Sequence, residues 1–314
     1  MLKDIPVLLV GFNRPDLIRL SLLNLVNIGV KRLYVSLDGP RNSYELPSCE
    51  ECFSTVLAFS DAFDLQVIHR SYNLGCNLGV TAALDWFFSK EYFGIVIEDD
   101  CLVSKEGFEH FENYFLNWEE FMRHGVGIAT AHNPFKSSVE CKASQYTLIN
   151  GWASSSSVWN LAKQNRFSLK LPSFFVKHLK SQSISEKIFW WANSTRARLG
   201  GVDTWDSIFQ DQLMRNGVKT LIPKINSVKN IGFGPMATHT KNGAERFLVE
   251  LPAEFHNKEI DLLLRDFYFN VSRKHFITPI FRVIWDLLRF TKRRNFEYEL
   301  SQDKKNRKFW KSTL

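Results

Sequence analysis

Cysteine is scarce and unpatterned. Cys49, Cys52, Cys76, Cys101 and Cys141 make an odd set, and only Cys49 and Cys52 form a CxxC pair. A structural zinc site needs a second pair and a disulfide framework needs a dense, even set, so neither can be the basis of the fold. The thiols are expected to be reduced, as in a cytoplasmic protein. No apolar run approaches the roughly 20 residues of a membrane-spanning helix. The longest runs, 6–12 and 93–97, suit strands. The opening MLKDIPVLLVGFNRP has one Lys before a short apolar stretch and no small-residue cleavage site, so it reads as a first strand and not a leader. Internal repeats and low-complexity blocks are absent.

The main body also lacks an excess of positive charge. Residues 271–314 hold 12 Lys and Arg against 4 Asp and Glu, whereas the first 270 residues hold 28 against 29. Nucleic-acid binding by the body is therefore disfavoured, because phosphate contacts need a basic surface. What the 314 residues do have is 45% hydrophobic and 23% charged side chains, which suffices for a packed core and excludes global disorder.

Apolar runs at 6–11, 33–37, 65–68 and 93–97 recur about every thirty residues, with helix-period segments between them. The clearest helices follow Pro15 and span 80–89. This is the rhythm of a parallel α/β sheet, whose ligands bind beyond the carboxyl ends of the strands. Further on, strands are expected at 126–131 and ending near Asn150, with helices at 185–198 and 206–216. A Gly- and Pro-punctuated stretch covers 222–243, and a soft boundary falls near 245.

The strongest local signal is Glu98-Asp99-Asp100 directly after the strand at 93–97. Adjacent carboxylates are costly without a positive partner, and hard oxygen ligands suit Mg²⁺ or Mn²⁺ bridging to substrate phosphates. The plain alternative is that Asp99 or Asp100 caps the following segment. His69 to Leu74 with Gly75 and Gly79 leads into a helix but lacks the Lys-Ser/Thr of a phosphate loop and the G-x-G-x-x-G spacing.

Residues 6–13, then Val35-Ser36-Leu37-Asp38-Gly39, then the Glu98-Asp99-Asp100 triplet, resemble the nucleotide-sugar domain of GT-A fold glycosyltransferases, and in particular the N-acetylglucosaminyltransferase I group and its bacterial relatives. The likeness covers about residues 5–120. It implies an α/β mixed sheet flanked by helices, with a nucleotide-sugar half at 1–124 and an acceptor half at 125–245; composition adds a basic amphipathic helical region at 246–314. The likeness implies Mn²⁺ or Mg²⁺ on Asp100, with Glu98 and Asp99 on the ribose or donor sugar. Arg14 and Asp38 would lie near the nucleotide, and Arg70 or Asn73 near the nucleotide-sugar. Taken alone, Arg14 reads equally as a solvated charge at a helix start, and Asp38 as a turn residue before Gly39-Pro40.

Five of nine tryptophans lie between 152 and 205. Aromatic faces cover sugar rings well, so Trp152 and Trp205 are candidates for acceptor binding, with core packing as the alternative. Inverting transfer needs a carboxylate to take the acceptor hydroxyl proton. The resemblance places it in the Trp205-Asp206 motif, so Asp206 is the expected base, with Asp203 and Asp211 as rivals. The segment Asn230-Ile231-Gly232-Phe233-Gly234 to Ala237-Thr238-His239-Thr240 looks like one in the bacterial relatives and makes His239 a further candidate metal or diphosphate contact.

In the tail, Ile280, Ile284, Leu287 and Leu288 share one helical face, with Arg282, Asp286, Arg289 and Arg293 on the other. That pattern fits an interfacial helix on an anionic membrane and equally a helix docked on the domain. The combined expectation is a cytoplasmic enzyme, peripheral on the inner membrane face, moving a sugar from a uridine-diphosphate donor to a glycan or lipid-linked glycan in surface polysaccharide or lipooligosaccharide assembly. A sugar-phosphate nucleotidyltransferase and a non-catalytic glycan-binding scaffold are the alternatives.

Overall fold

A computed structural model describes residues 4–135, 142–164 and 184–232, together with 282, 283 and 286. The expected βαβ rhythm is present. Strands β1 (Val7–Gly11), β2 (Arg32–Leu37), β3 (Asp64–His69) and β4 (Phe93–Glu98) alternate with helices α1 (Pro15–Ile28), α2 (Leu46–Leu57) and α3 (Gly75–Lys90). Then follow β5 (Cys101–Val103), α4 (Lys105–Leu116), α5 (Trp118–Arg123), β6 (Val126–Thr130), β7 (Lys142–Ser144), β8 (Trp152–Ser155) and α6 (Ser156–Lys163). The described elements continue with α7 (Ile184–Arg198), α8 (Asp206–Arg215), β9 (Lys219–Ile222) and β10 (Val228–Asn230). The strand expected to end near Asn150 instead begins after it, as β8. Ser155 ends that strand and caps α6, its hydroxyl facing the Val158 amide at 3.4 Å.

Eight strands form one mixed sheet in the order β3-β2-β1-β4-β8-β6-β9-β7, and β5 pairs antiparallel with β10 in a separate ribbon. The mixed α/β sheet flanked by helices is thus as expected. β1 pairs in parallel with both β2 and β4, and β8 runs antiparallel between β4 and β6. Strand order therefore reverses between β1 and β4, and sheets of this kind bind ligands beyond the carboxyl ends at such a point.

Alternation along the strands sends Val7, Leu9, Ile95 and Ile97 to one face, under α1, α2, α4 and α5. It sends Leu8, Tyr34, Val96 and Trp152 to the other, under α3, α6 and α8. Each fully buried Leu, Val or Phe contributes about 1.5–3 kcal/mol, so the two layers hold the sheet. α7 is pinned to α8 by a buried pair in which Arg198 Nη2 donates to Asp211 Oδ2 at 2.9 Å.

Candidate active site

Just beyond the carboxyl end of β4, the peptide N–H of Asp99 continues the sheet by donating to Val10 O at 2.9 Å, and Ser21 Oγ donates to Asp99 O at 2.8 Å. This fixes the acids beside Arg14, the residue between β1 and α1. The Arg14 guanidinium straddles both aspartates: Nε donates to Asp99 Oδ2 at 3.2 Å, Nη1 donates to Asp100 Oδ2 at 3.2 Å, and Nη2 pairs with Asp99 Oδ1. Part of the positive charge that the triplet demands is therefore Arg14 itself. The Asp99 side chain is 2% exposed. Burial pushes its pKa up to about 6 against the pull of Arg14.

One arginine does not balance three carboxylates. Glu98 has no hydrogen bond among the described residues, and burial, then Asp100, Asp99 and Asp206, push its pKa up to about 8. Asp100 is half-buried, and the chain crosses it where Ile231 N donates to Asp100 O at 2.8 Å. Any Cβ at Gly232 would clash with the Asp100 carboxylate, so only glycine permits that approach. Among the described residues no group of three or more His, Cys, Asp or Glu could hold a metal ion. His239 lies outside the described residues. The donor chemistry still fits a hard cation: Asp100 and Glu98 offer carboxylate oxygens with an unbalanced negative charge beside them.

The residues after β2 and β3 build a loop rather than present open groups. Both Asp38 oxygens accept backbone N–H groups, from Gly39 at 3.1 Å, Leu74 at 3.0 Å and Gly75 at 3.1 Å. Burial nonetheless raises its pKa. Asn73 Nδ2 donates to Gly39 O at 2.9 Å, and its Oδ1 accepts from Gly75 N at 3.0 Å. Gly39 itself packs so closely on the Arg70–Tyr72 backbone that a Cβ would clash there. Arg70 is buried, donates to Ser36 Oγ at 2.8 Å, and lies near Asp38. Asp38 and Asn73 therefore also organise the start of α3.

Three candidate bases separate cleanly. Asp203 accepts from Cys76 N and Asn77 N, both at 2.8 Å, which completes the capping of α3. Asp211 is 1% exposed and accepts from Arg198 and Arg215. Asp206, at the first turn of α8, is exposed; its Oδ1 accepts from Thr204, from Ser207 N at 2.6 Å and from Ser207 Oγ at 3.2 Å. No described residue bonds its Oδ2, and it lies close enough to Glu98 to shift that acid.

The tryptophan expectation is corrected. Trp152 and Trp205 are 1% and 3% exposed and stack on each other at 6.0 Å, with Phe209 5.3 Å from each. Both belong to the buried core on the α3, α6 and α8 side of the sheet and offer no open face to a sugar. Two polar residues that sequence reasoning passed over stand at the same edge, His132 and Asn150, bonded to each other at 3.1 Å. Only the pairing of β6 with β8 brings them together.

No protein-family model and no curated protein matches the chain. Solved structures with a similar chain course include 4-diphosphocytidyl-2C-methyl-D-erythritol synthase from Anaerococcus prevotii, at 7% identity over 72% of this chain and 92% of that one, TM-score 0.37. HddC from Yersinia pseudotuberculosis matches at 11% identity over 49% and 78%, TM-score 0.27. A putative glucose-1-phosphate thymidylyltransferase from Bacillus anthracis matches at 11% identity over 60% and 83%, TM-score 0.29. At these scores the likenesses bear on no residue of the site.

Proposed function

We propose that this chain is a metal-dependent inverting glycosyltransferase that takes a sugar from a nucleotide-diphosphate donor, with uridine the expected base, and places it on a glycan or lipid-linked glycan hydroxyl. One observation supports this above the rest. Asp203 has both oxygens held by the backbone of α3 and Asp211 is buried between Arg198 and Arg215, whereas Asp206 is exposed, keeps an Oδ2 that no described residue bonds, and lies close enough to Glu98 to shift that acid. Arg14 sets the positions of Asp99 and Asp100. Asp206 accepts the proton of the attacking hydroxyl, which makes that oxygen a competent nucleophile at the anomeric carbon. Asp100, with Glu98 beside it, would hold the cation. When bound, the metal offsets the charge of the departing diphosphate.

Calorimetry with UDP-sugars, with and without Mn²⁺, tests the reading on the parent protein and on Asp100→Ala. Metal-dependent binding that the variant loses is the expected result. Asp100→Ala binding like the parent overturns the metal assignment. Release of pyrophosphate from UTP and a sugar 1-phosphate would identify a nucleotidyltransferase, and glycan binding without nucleotide binding would identify a scaffold.

A further inference from the structure

Three polar residues gather at one end of three neighbouring strands, β4, β8 and β6. Val96 pairs with Trp152 in the β4–β8 ladder, and Thr130 pairs with Trp152 in the β6–β8 ladder. Ala131 N donates to Gly151 O at 2.8 Å, so the second ladder continues past its last strand residues. Glu98 ends β4, Asn150 lies two residues before β8 and His132 two residues after β6, so the three stand at the same end of neighbouring strands, and Asn150 and His132 are bonded to each other. Asp206, which opens α8, lies close enough to Glu98 to shift that acid, so this end of the sheet also carries the candidate base.

The pair is chemically defined. Thr130 Oγ1 accepts the peptide N–H of His132 at 3.0 Å, which fixes the backbone, and Asn150 Nδ2 lies 3.1 Å from His132 Nδ1. An amide nitrogen only donates, so Nδ1 accepts and the ring proton sits on Nε2. Burial pushes the imidazole down to about 4, which keeps it neutral near pH 7. Nε2 has no acceptor among the described residues and His132 is only partly buried, which leaves the Nε2–H as a neutral donor.

Adjacent strands lie about 4.8 Å apart, so the row from Glu98 through Asn150 to His132 spans about 10 Å from the end of β4. A diphosphate held by the acid cluster would place its attached sugar over that row. We infer that His132 and Asn150 bind hydroxyls of the sugar carried by the donor and set which sugar is accepted. This inference rests on the donor reading above. Neutral donors suit hydroxyls, and a site built to hydrogen-bond a hydroxyl discriminates against a sugar that does not present it.

Calorimetry in Mn²⁺ with UDP, UDP-N-acetylglucosamine, UDP-glucose and UDP-galactose tests it on the parent, His132→Ala and Asn150→Ala, with a melting curve for each. The parent should bind one of the three sugar nucleotides about 10-fold more tightly than UDP, the worth of one or two good hydrogen bonds. Both variants should keep the parent's affinity for UDP and lose the preference, and His132→Asn, which retains a donor, should recover part of it. Should His132→Ala fail to fold, Asn150→Ala carries the same comparison. Variants that keep the preference, or a parent without one, overturn the inference and leave UDP binding as support for the donor reading. A parent that binds neither UDP nor any of the three sugar nucleotides overturns both.

Discussion

Asp203 and Asp206 lie three residues apart, one in the loop before α8 and one at its start, and do different work because their oxygens are spent differently. Asp206→Asn keeps the shape but cannot take a proton, so turnover should fall about 100- to 10,000-fold with donor affinity retained. Single-turnover kinetics beside calorimetry would show this, and near-parental turnover would remove Asp206 as the base. Asp203→Ala instead strips the acceptors from Cys76 N and Asn77 N. It should cost about 1 kcal/mol of stability, read from urea unfolding, while turnover per folded molecule stays within a few-fold of the parent. Arg14→Met removes the cation from a buried aspartate. Losing one partner of such a pair costs about 3 kcal/mol, so its urea midpoint should fall well below that of Arg14→Lys, which keeps the charge.

Elements carry the pH response. On α4, His110 has a buried Nε2 without a partner among the described residues, and burial pushes its pKa down to about 4 from an ordinary 6.5. Between those values the unfolded chain binds a proton that the folded chain refuses, so this contribution to stability is intact above pH 6.5 and is lost as pH falls toward 4. His110→Leu should therefore lose less stability than the parent between pH 7 and pH 5, by on the order of 1 kcal/mol. Equal losses in paired urea titrations would mean that the imidazole is protonated in place. β8 shows why element identity was hard to read: its four residues, Trp152–Ser155, run straight into α6, and Ser155 serves as the end of one and the cap of the other. The serine run that follows Gly151-Trp152-Ala153 carries no alternation by which a strand could be recognised.

Across the whole molecule, the described part of the tail touches the domain. Val283 is 2% exposed, and Asp286 accepts from Arg196 Nε on α7 at 3.0 Å, beside Gly201. These contacts support the docked reading of the basic region, whose other residues and membrane role lie outside the described residues. No helix among the described residues is long and apolar enough to cross a membrane. Deleting residues 271–314 should lower the melting temperature by about 3 °C or more, and Asp286→Ala should reproduce part of the loss. An unchanged melting curve, with salt-sensitive binding of the full chain to anionic vesicles, would favour the interfacial reading. The sequence determined the four parallel strands, the acid cluster at the end of β4 and the opening of α8 at Asp206, because periodicity and local punctuation are properties of neighbouring residues. Tertiary structure alone decided the rest. It set Arg14 across Asp99 and Asp100, turned Trp152 and Trp205 into core, spent Asp38 and Asp203 on one helix start, and brought His132 beside Asn150. Each of those outcomes depends on which distant strand or helix arrives alongside, and on how little buried charge or unpaired polar surface the packed interior can tolerate.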